Sequence, residues 1–262
     1  MLAGPASSRV RSTATRCLWL LLLAPGARAE AQQAPPPAAA AARRLQVLFL
    51  GAPTQNGPHH DPITRYATLK KGLGVDGIDV SYSEDPATAL TASTLAAFDV
   101  LLLYGNWDQR GVMPEAQLGA LLAYVDGGGG FVAVHCASAC WGRSPAFVRL
   151  VGGRFVRHDG EEFAVEAVAP DHPVLSGLPG YRAWDETYEH DELAADRVVL
   201  QRREQEPWTW VRTQGNGRVF YTAGGHDHRV WDLPEFQQLL RNGILWAAGP
   251  EKRDLLAKLA LP

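Results

Sequence analysis

The sequence predicts an α/β fold on a doubly wound, mostly parallel sheet. Short apolar runs alternate with segments of helical spacing in a β-α-β-α-β-α-β rhythm, which places helices on both faces of a parallel sheet. The first, third and fourth runs are near-continuously apolar, the pattern of strands buried on both sides. A chain of 262 residues with 46% hydrophobic residues can also fill the sizeable core such a sheet needs.

Residues 45–50 (LQVLFL) form the first run, ended by Gly51 and Pro53. Residues 62–72 carry Ile63, Tyr66 and Leu69 at helical spacing, and 78–82 (IDVSY) read as the second strand. A short helix over 91–97 leads to the third strand, 98–104 (FDVLLLY), which stops at Gly105. Pro114 suits the first turn of a helix reaching Val125, with Leu118, Leu121, Leu122 and Val125 on one face. Four glycines at 127–130 then open the fourth strand, 131–135 (FVAVH). Beyond residue 150 the texture changes. Residues 162–168 alternate as a strand, further strands are expected over 198–201 and 208–211, and 217–222 (GRVFYT) returns to the core. Residues 234–248 form a closing amphipathic helix with Phe236, Leu239, Leu240, Ile244, Leu245 and Trp246, and 251–262 read as a tail or short helix. One domain over 45–250 accounts for these elements, with no internal repeat.

Residues 1–29 read as a secretory signal peptide: four arginines and no acid, an apolar run over 17–24, Pro25-Gly26, then Ala27-Arg28-Ala29. The run is shorter than the roughly 20 residues that span a bilayer. The expected location is therefore secreted or periplasmic, with no membrane span after signal removal. Residues 30–44 form an Ala/Pro-rich linker. Net charge is −3, and setting aside the four N-terminal arginines leaves 21 basic against 28 acidic groups. An acidic body argues against nucleic acid as a partner. Of three cysteines, Cys17 leaves with the signal; Cys136 and Cys140 are too few for a four-cysteine zinc site, and a bond between them would need irregular backbone.

Ligand sites in doubly wound sheets lie beyond the carboxyl ends of the strands. Histidines stand at three such ends: His59-His60 after the first strand, His135 at the end of the fourth, and His226 with His228 after the 217–222 strand. His158 follows in Arg157-His158-Asp159, and an acidic stretch over 185–192 contains Glu186. That stretch reads either as a solvated loop or as part of the site. His172 reads as a turn residue, and His190 and His228 as surface residues. Histidine and carboxylate meeting in one pocket suit acid–base chemistry or a divalent metal such as zinc, although no H-E-x-x-H spacing fixes a ligand set. No G-x-S-x-G elbow or P-loop is present, and the 127–130 glycines precede a strand rather than bridge strand to helix, so they form no dinucleotide fingerprint.

Several motifs carry a family resemblance: residues 128–137 (GGGFVAVHCA), Gly152-Gly153-Arg154-Phe155 with His158, and Asp171-His172-Pro173-Val174. Asp185-Glu186-Thr187-Tyr188, residues 217–222 with Gly225-His226, and residues 243–247 (GILWA) follow in the same order. Together these are similar to the ThuA-like (trehalose utilisation) family, over about residues 45–249. The resemblance implies a flavodoxin-like, three-layer fold of the class I glutamine amidotransferase type, with a sharp elbow after the fourth strand. His135, not Cys136, then takes the nucleophile position, His226 that of the partner histidine, and Gly105-Asn106-Trp107 that of an oxyanion loop. An imidazole is a poor substitute for a thiolate, so glutaminase activity is not expected.

The resemblance further implies carbohydrate catabolism, with a 3-keto disaccharide or related sugar as the small-molecule substrate. A 3-keto group acidifies the neighbouring C–H, which suits catalysis by His135, His226 and Glu186 without a redox cofactor. Asn106, Trp107, Tyr188 and Trp231 are the expected sugar contacts, and His135, His158 and His226 the expected ligands if a metal takes part. Two other readings stand beside this one: a non-catalytic carbohydrate-binding module, and a hydrolase using Cys136. Self-association is left open.

Overall fold

The computed structural model describes residues 42–52 and 60–259. The signal-peptide reading, most of the linker reading and His59 lie outside them. The elements follow in order as β1 (Leu45–Gly51), α1 (Pro62–Gly74), β2 (Ile78–Ser83), α2 (Pro86–Ala89), α3 (Ala92–Leu95), β3 (Val100–Tyr104), α4 (Glu115–Asp126) and β4 (Gly130–Val134). A 3₁₀ turn over His135–Ala139 leads to α5 (Pro145–Val151), then β5 (Arg154–Arg157), β6 (Gly160–Ala167), β7 (Gly180–Glu186) and β8 (Glu189–Asp191). The chain closes with β9 (Val198–Arg203), β10 (Glu206–Gln214), β11 (Gly217–Thr222), α6 (His228–Trp231), α7 (Pro234–Ala248) and α8 (Pro250–Ala257).

Nine strands form one sheet in the order β2-β1-β3-β4-β11-β10-β9-β6-β7. The first five are parallel, with Leu50 beside Leu103 and Thr222 beside Val134. From β11 outward every pairing is antiparallel. This is an α/β fold with a mostly parallel central sheet, as the apolar runs predict. Side chains of β1 alternate between its faces: Leu45, Val47 and Phe49 join one core with Leu69 of α1 and Phe236, Leu239 and Ile244 of α7. Leu48 and Leu50 join the other, with Leu121 of α4 and Phe147 of α5. Both faces are therefore covered, which explains why the central strands carry no polar face.

The structure departs from the expected elements in several places. The helix expected over 91–97 is the single turn α3, capped by Thr91, which accepts from Thr94 N–H; a further single turn, α2, capped by Asp85 accepting from Ala87 N–H, precedes it outside the expected range. Helix α5 and the β5–β8 ribbon were not expected, being too short to show a period. Strand β7 was not expected either, because GYRAWDE shows no clean alternation and its last two residues belong to the acidic stretch read as lying between strands. Just before β1, Arg43 bonds Asp99 and Arg44 bonds Asp79. Among the described residues no helix is long and apolar enough to cross a membrane.

Candidate functional site

Four side chains meet beyond the carboxyl ends of the parallel strands: His60, His135, Glu186 and His226. One ligand-type atom from each lies within 4.8 Å of all the others. Separate local devices bring each one there.

His60 directly precedes α1, whose start is set by Asp61; the Asp61 carboxylate accepts from the Ile63 and Thr64 N–H groups. His135 follows β4 with φ +51°, a conformation that turns the chain sharply out of the sheet. Its Nδ1 donates to the Ala223 carbonyl at 2.7 Å, so the Nε2 lone pair faces the cluster. Its own carbonyl accepts hydroxyls from Tyr221 and Ser138, each at 3.2 Å. His226 follows Gly225, whose φ of +127° strains any residue bearing a Cβ. Glu186 ends β7 and is placed by strand pairing with β6.

The resulting contacts are close. His60 Nε2 lies 3.1 Å from His135 Nε2 and 3.0 Å from His226 Nδ1. Glu186 spans the histidines, with Oε1 3.0 Å from His226 Nδ1 and Oε2 3.2 Å from His135 Nε2. Burial is graded: the His135 side chain is 0% exposed, His226 10%, Glu186 11% and His60 14%. Tyr188 stacks on the His135 ring at 4.2 Å between centroids. Burial would raise the Glu186 carboxyl, yet its bonds with His135 and His226 hold it below the usual carboxylate range. Burial likewise opposes charge on His135, but Glu186 and Asp185 outweigh it and raise its pKa. Asp185 is the reverse case: burial dominates and raises its pKa despite three backbone hydrogen bonds.

The family described as trehalose utilisation (ThuA) matches residues 46–247. The chain belongs to the ThuA family. A ThuA-like protein from Bacteroides uniformis superposes with a TM-score of 0.65 at 22% identity, covering 81% of this chain and 95% of that one. A ThuA-like protein from Parabacteroides merdae gives 0.67 at 21% identity, covering 79% and 91%. A beta-galactosidase from Rahnella sp. R3 gives 0.53 at 17% identity, covering 81% of this chain and 32% of that one. Likeness at these identities concerns the fold. No curated protein sequence matches the chain.

In this ThuA domain the structure brings His135, Glu186 and His226 together and adds His60, which sequence reasoning noted at a strand end but did not place among the ligands. His158, expected as a ligand, stands outside the group. Its Nε2 lies 3.5 Å from Glu186 Oε1, its side chain is 40% exposed, and its Nδ1 meets the Asp159 carbonyl. Tyr188 and Trp231, expected as sugar contacts, are core residues at 3% and 0% exposure. Tyr188 packs on His135 and Phe155, and the Trp231 indole N–H donates to the Gly225 carbonyl at 2.8 Å. They support the site from behind. Asn106 and Trp107 are half-buried, and the Trp107 ring stacks on Trp141 at 5.6 Å.

His190, expected at the surface, is instead partly buried, with Nε2 on the Tyr221 hydroxyl at 2.9 Å. Burial and the nearby His135 charge push its pKa down to about 3. The acidic stretch divides: Asp185 and Glu186 turn inward, while Glu189 and Asp191 pair outward with Arg157 and Arg154. Cys136 and Cys140 are free thiols with no exposure. Burial raises both, Cys140 to about 12. The Cys140 sulfur also occupies the loop expected to serve an oxyanion, accepting from Trp107 N–H at 3.4 Å and donating to the Gly105 carbonyl at 2.8 Å. A buried thiol with a raised pKa is a poor nucleophile, which weighs against the Cys136 hydrolase reading.

Proposed function

We propose that the protein is an exported enzyme of carbohydrate use that works on an oxidised, 3-keto-type sugar by histidine acid–base chemistry. In this reading His60, His135, Glu186 and His226 hold one divalent transition metal such as zinc. The observation that carries it is the convergence of three imidazole nitrogens and one carboxylate within 4.8 Å.

The residues fit such an ion. Metal–ligand bonds of about 2.0–2.1 Å place neighbouring tetrahedral ligand atoms roughly 3.3 Å apart. The close contacts run from 3.0 Å for His60–His226 to 3.9 Å for His60–Glu186, and the whole set lies within 4.8 Å, so small side-chain shifts would draw it onto one ion. Glu186 Oε2 is buried with His135 Nε2 3.2 Å away, and the Ala223 carbonyl fixes the His135 tautomer that turns Nε2 toward the cluster. Held there with a further position left to a substrate oxygen, such an ion would supply Lewis-acid polarisation of a carbonyl or hydroxyl. His158 supplies the proton-handling group at the solvent side, its Nε2 beside Glu186 and its ring accessible. Buried His135 and His226 bind and orient, while Tyr188 and Trp184 shield them from water. The family's description as trehalose utilisation supports a sugar substrate, and the composition of residues 1–29 supports export.

A second reading, acid–base catalysis without metal, draws on the raised His135 and lowered Glu186 pKa values, the signature of a buried ion pair. Elemental analysis of untagged protein purified without chelator separates the two. About one equivalent of metal is expected in the wild type, with loss in His135→Ala and His226→Ala. A wild type that takes up no divalent metal after reconstitution overturns the metal reading. Saturable binding of 3-keto-trehalose without product would establish a sugar-binding module in place of an enzyme.

A further inference from the structure

We infer that Asp185 is a positioning residue that sets the metal affinity of the adjacent cluster by holding the His226 loop; this rests on reading the cluster as a metal centre. Asp185 is 1% exposed and adjoins a ligand in sequence, yet its carboxylate is not among the four ligating groups. It is spent on backbone instead. Oδ1 accepts from Glu186 N–H at 2.8 Å and His226 N–H at 3.2 Å, and Oδ2 accepts from Gly225 N–H at 2.9 Å.

One side chain therefore ties the end of β7 to the loop after β11, joining the backbones of ligands 186 and 226. The opposite side of that loop is held as well. The Gly225 carbonyl accepts from the Tyr104 hydroxyl at 2.9 Å and from the Trp231 indole N–H at 2.8 Å. Gly225 sits at φ +127°, so the loop takes a conformation these four bonds define. Three converging N–H donors call for a group with acceptors only. A carboxylate meets that demand, and an asparagine amide must aim an NH₂ at one of them. Releasing Asp185 frees His226 Nδ1 to leave its place 3.0 Å from Glu186 Oε1.

The test uses the full chain and Zn²⁺ or Co²⁺ alone, with affinity measured by competition against a chromophoric chelator and Co²⁺ geometry read from visible absorption. Asp185→Asn is expected to weaken metal binding about 10–100-fold and to alter the Co²⁺ spectrum while the far-ultraviolet circular dichroism persists. A role in stability alone would lower the melting temperature without moving the spectrum. If Asp185→Asn does not fold, Tyr104→Phe, which removes one bond to the Gly225 carbonyl, decides by a smaller shift in the same two readouts. Wild-type affinity and spectrum in a folded Asp185→Asn protein, or in Tyr104→Phe when that variant decides, overturn the inference and leave the metal centre standing. A wild type that binds neither ion fails at the metal centre itself and takes the inference with it.

Discussion

His135 is held at every polar atom beyond its own peptide N–H. Its Nδ1 meets the Ala223 carbonyl, its Nε2 faces Glu186, and its carbonyl accepts two hydroxyls. A non-glycine residue at φ +51° costs of order 1–3 kcal/mol, and these bonds fix the strained turn. Replacing Tyr221 with Phe should leave the fold intact but destabilise it by about 1–3 kcal/mol, measured by urea denaturation, because three buried hydroxyl contacts, to Ser138, His190 and the His135 carbonyl, are lost. His60 and His158 predict opposite behaviour. His60→Ala should lose bound metal, whereas His158→Ala should retain it and lose turnover, both readable by elemental analysis and a keto-sugar assay. His135 and His226 were legible in the sequence because histidine at a strand's carboxyl end is a costly residue to place without use. His60 was visible only as half of a dyad; its position depends on the Asp61 cap that starts α1 beside the cluster. Tyr188 and Trp231 misled because an aromatic residue type fits a wall and a core equally well.

At the scale of elements, the parallel half of the sheet was readable and the antiparallel half only in part. Runs such as 100–104, buried at every position, advertise a strand covered on both sides. Strand β6 alternates and was found; the three-residue β8 and four-residue β5 lie below the length at which alternation is detectable. Glycine at the start of β4 has a packing reason. A Cβ on Gly130 would stand 2.7 Å from the Ala247 carbonyl oxygen, so α7 approaches the sheet closely there. Gly130→Ala should therefore cost about 1–3 kcal/mol, read as a lower denaturation midpoint, although alanine is the smallest possible addition. Truncating Phe236, fully buried where α7 meets Trp231 and Tyr181, should cost more, about 3–5 kcal/mol by the same measurement.

Over the whole molecule, charge is handled differently at the two ends of the sheet. At the end away from the cluster, Asp99 is 4% exposed and accepts from Arg43 and the Gln46 N–H. Burial opposes its ionisation, but these partners prevail and lower its pKa. Stability from Asp99 is therefore complete above its unfolded value of about 3.9 and is lost as pH falls through the lower folded value. Acid titration of the denaturation midpoint should be steeper in the wild type than in Asp99→Asn over that window. At the other end, the cluster draws on chain segments as far apart as His60 and His226, which are 166 residues from each other. They meet only when β1, β4, β7 and β11 have all taken their places in a single sheet. An ion held there would thus bind after the rate-limiting step of folding. Rising metal concentration should slow unfolding in stopped-flow experiments while leaving the refolding rate unchanged, so the ion would extend the lifetime of the folded protein without hastening its formation.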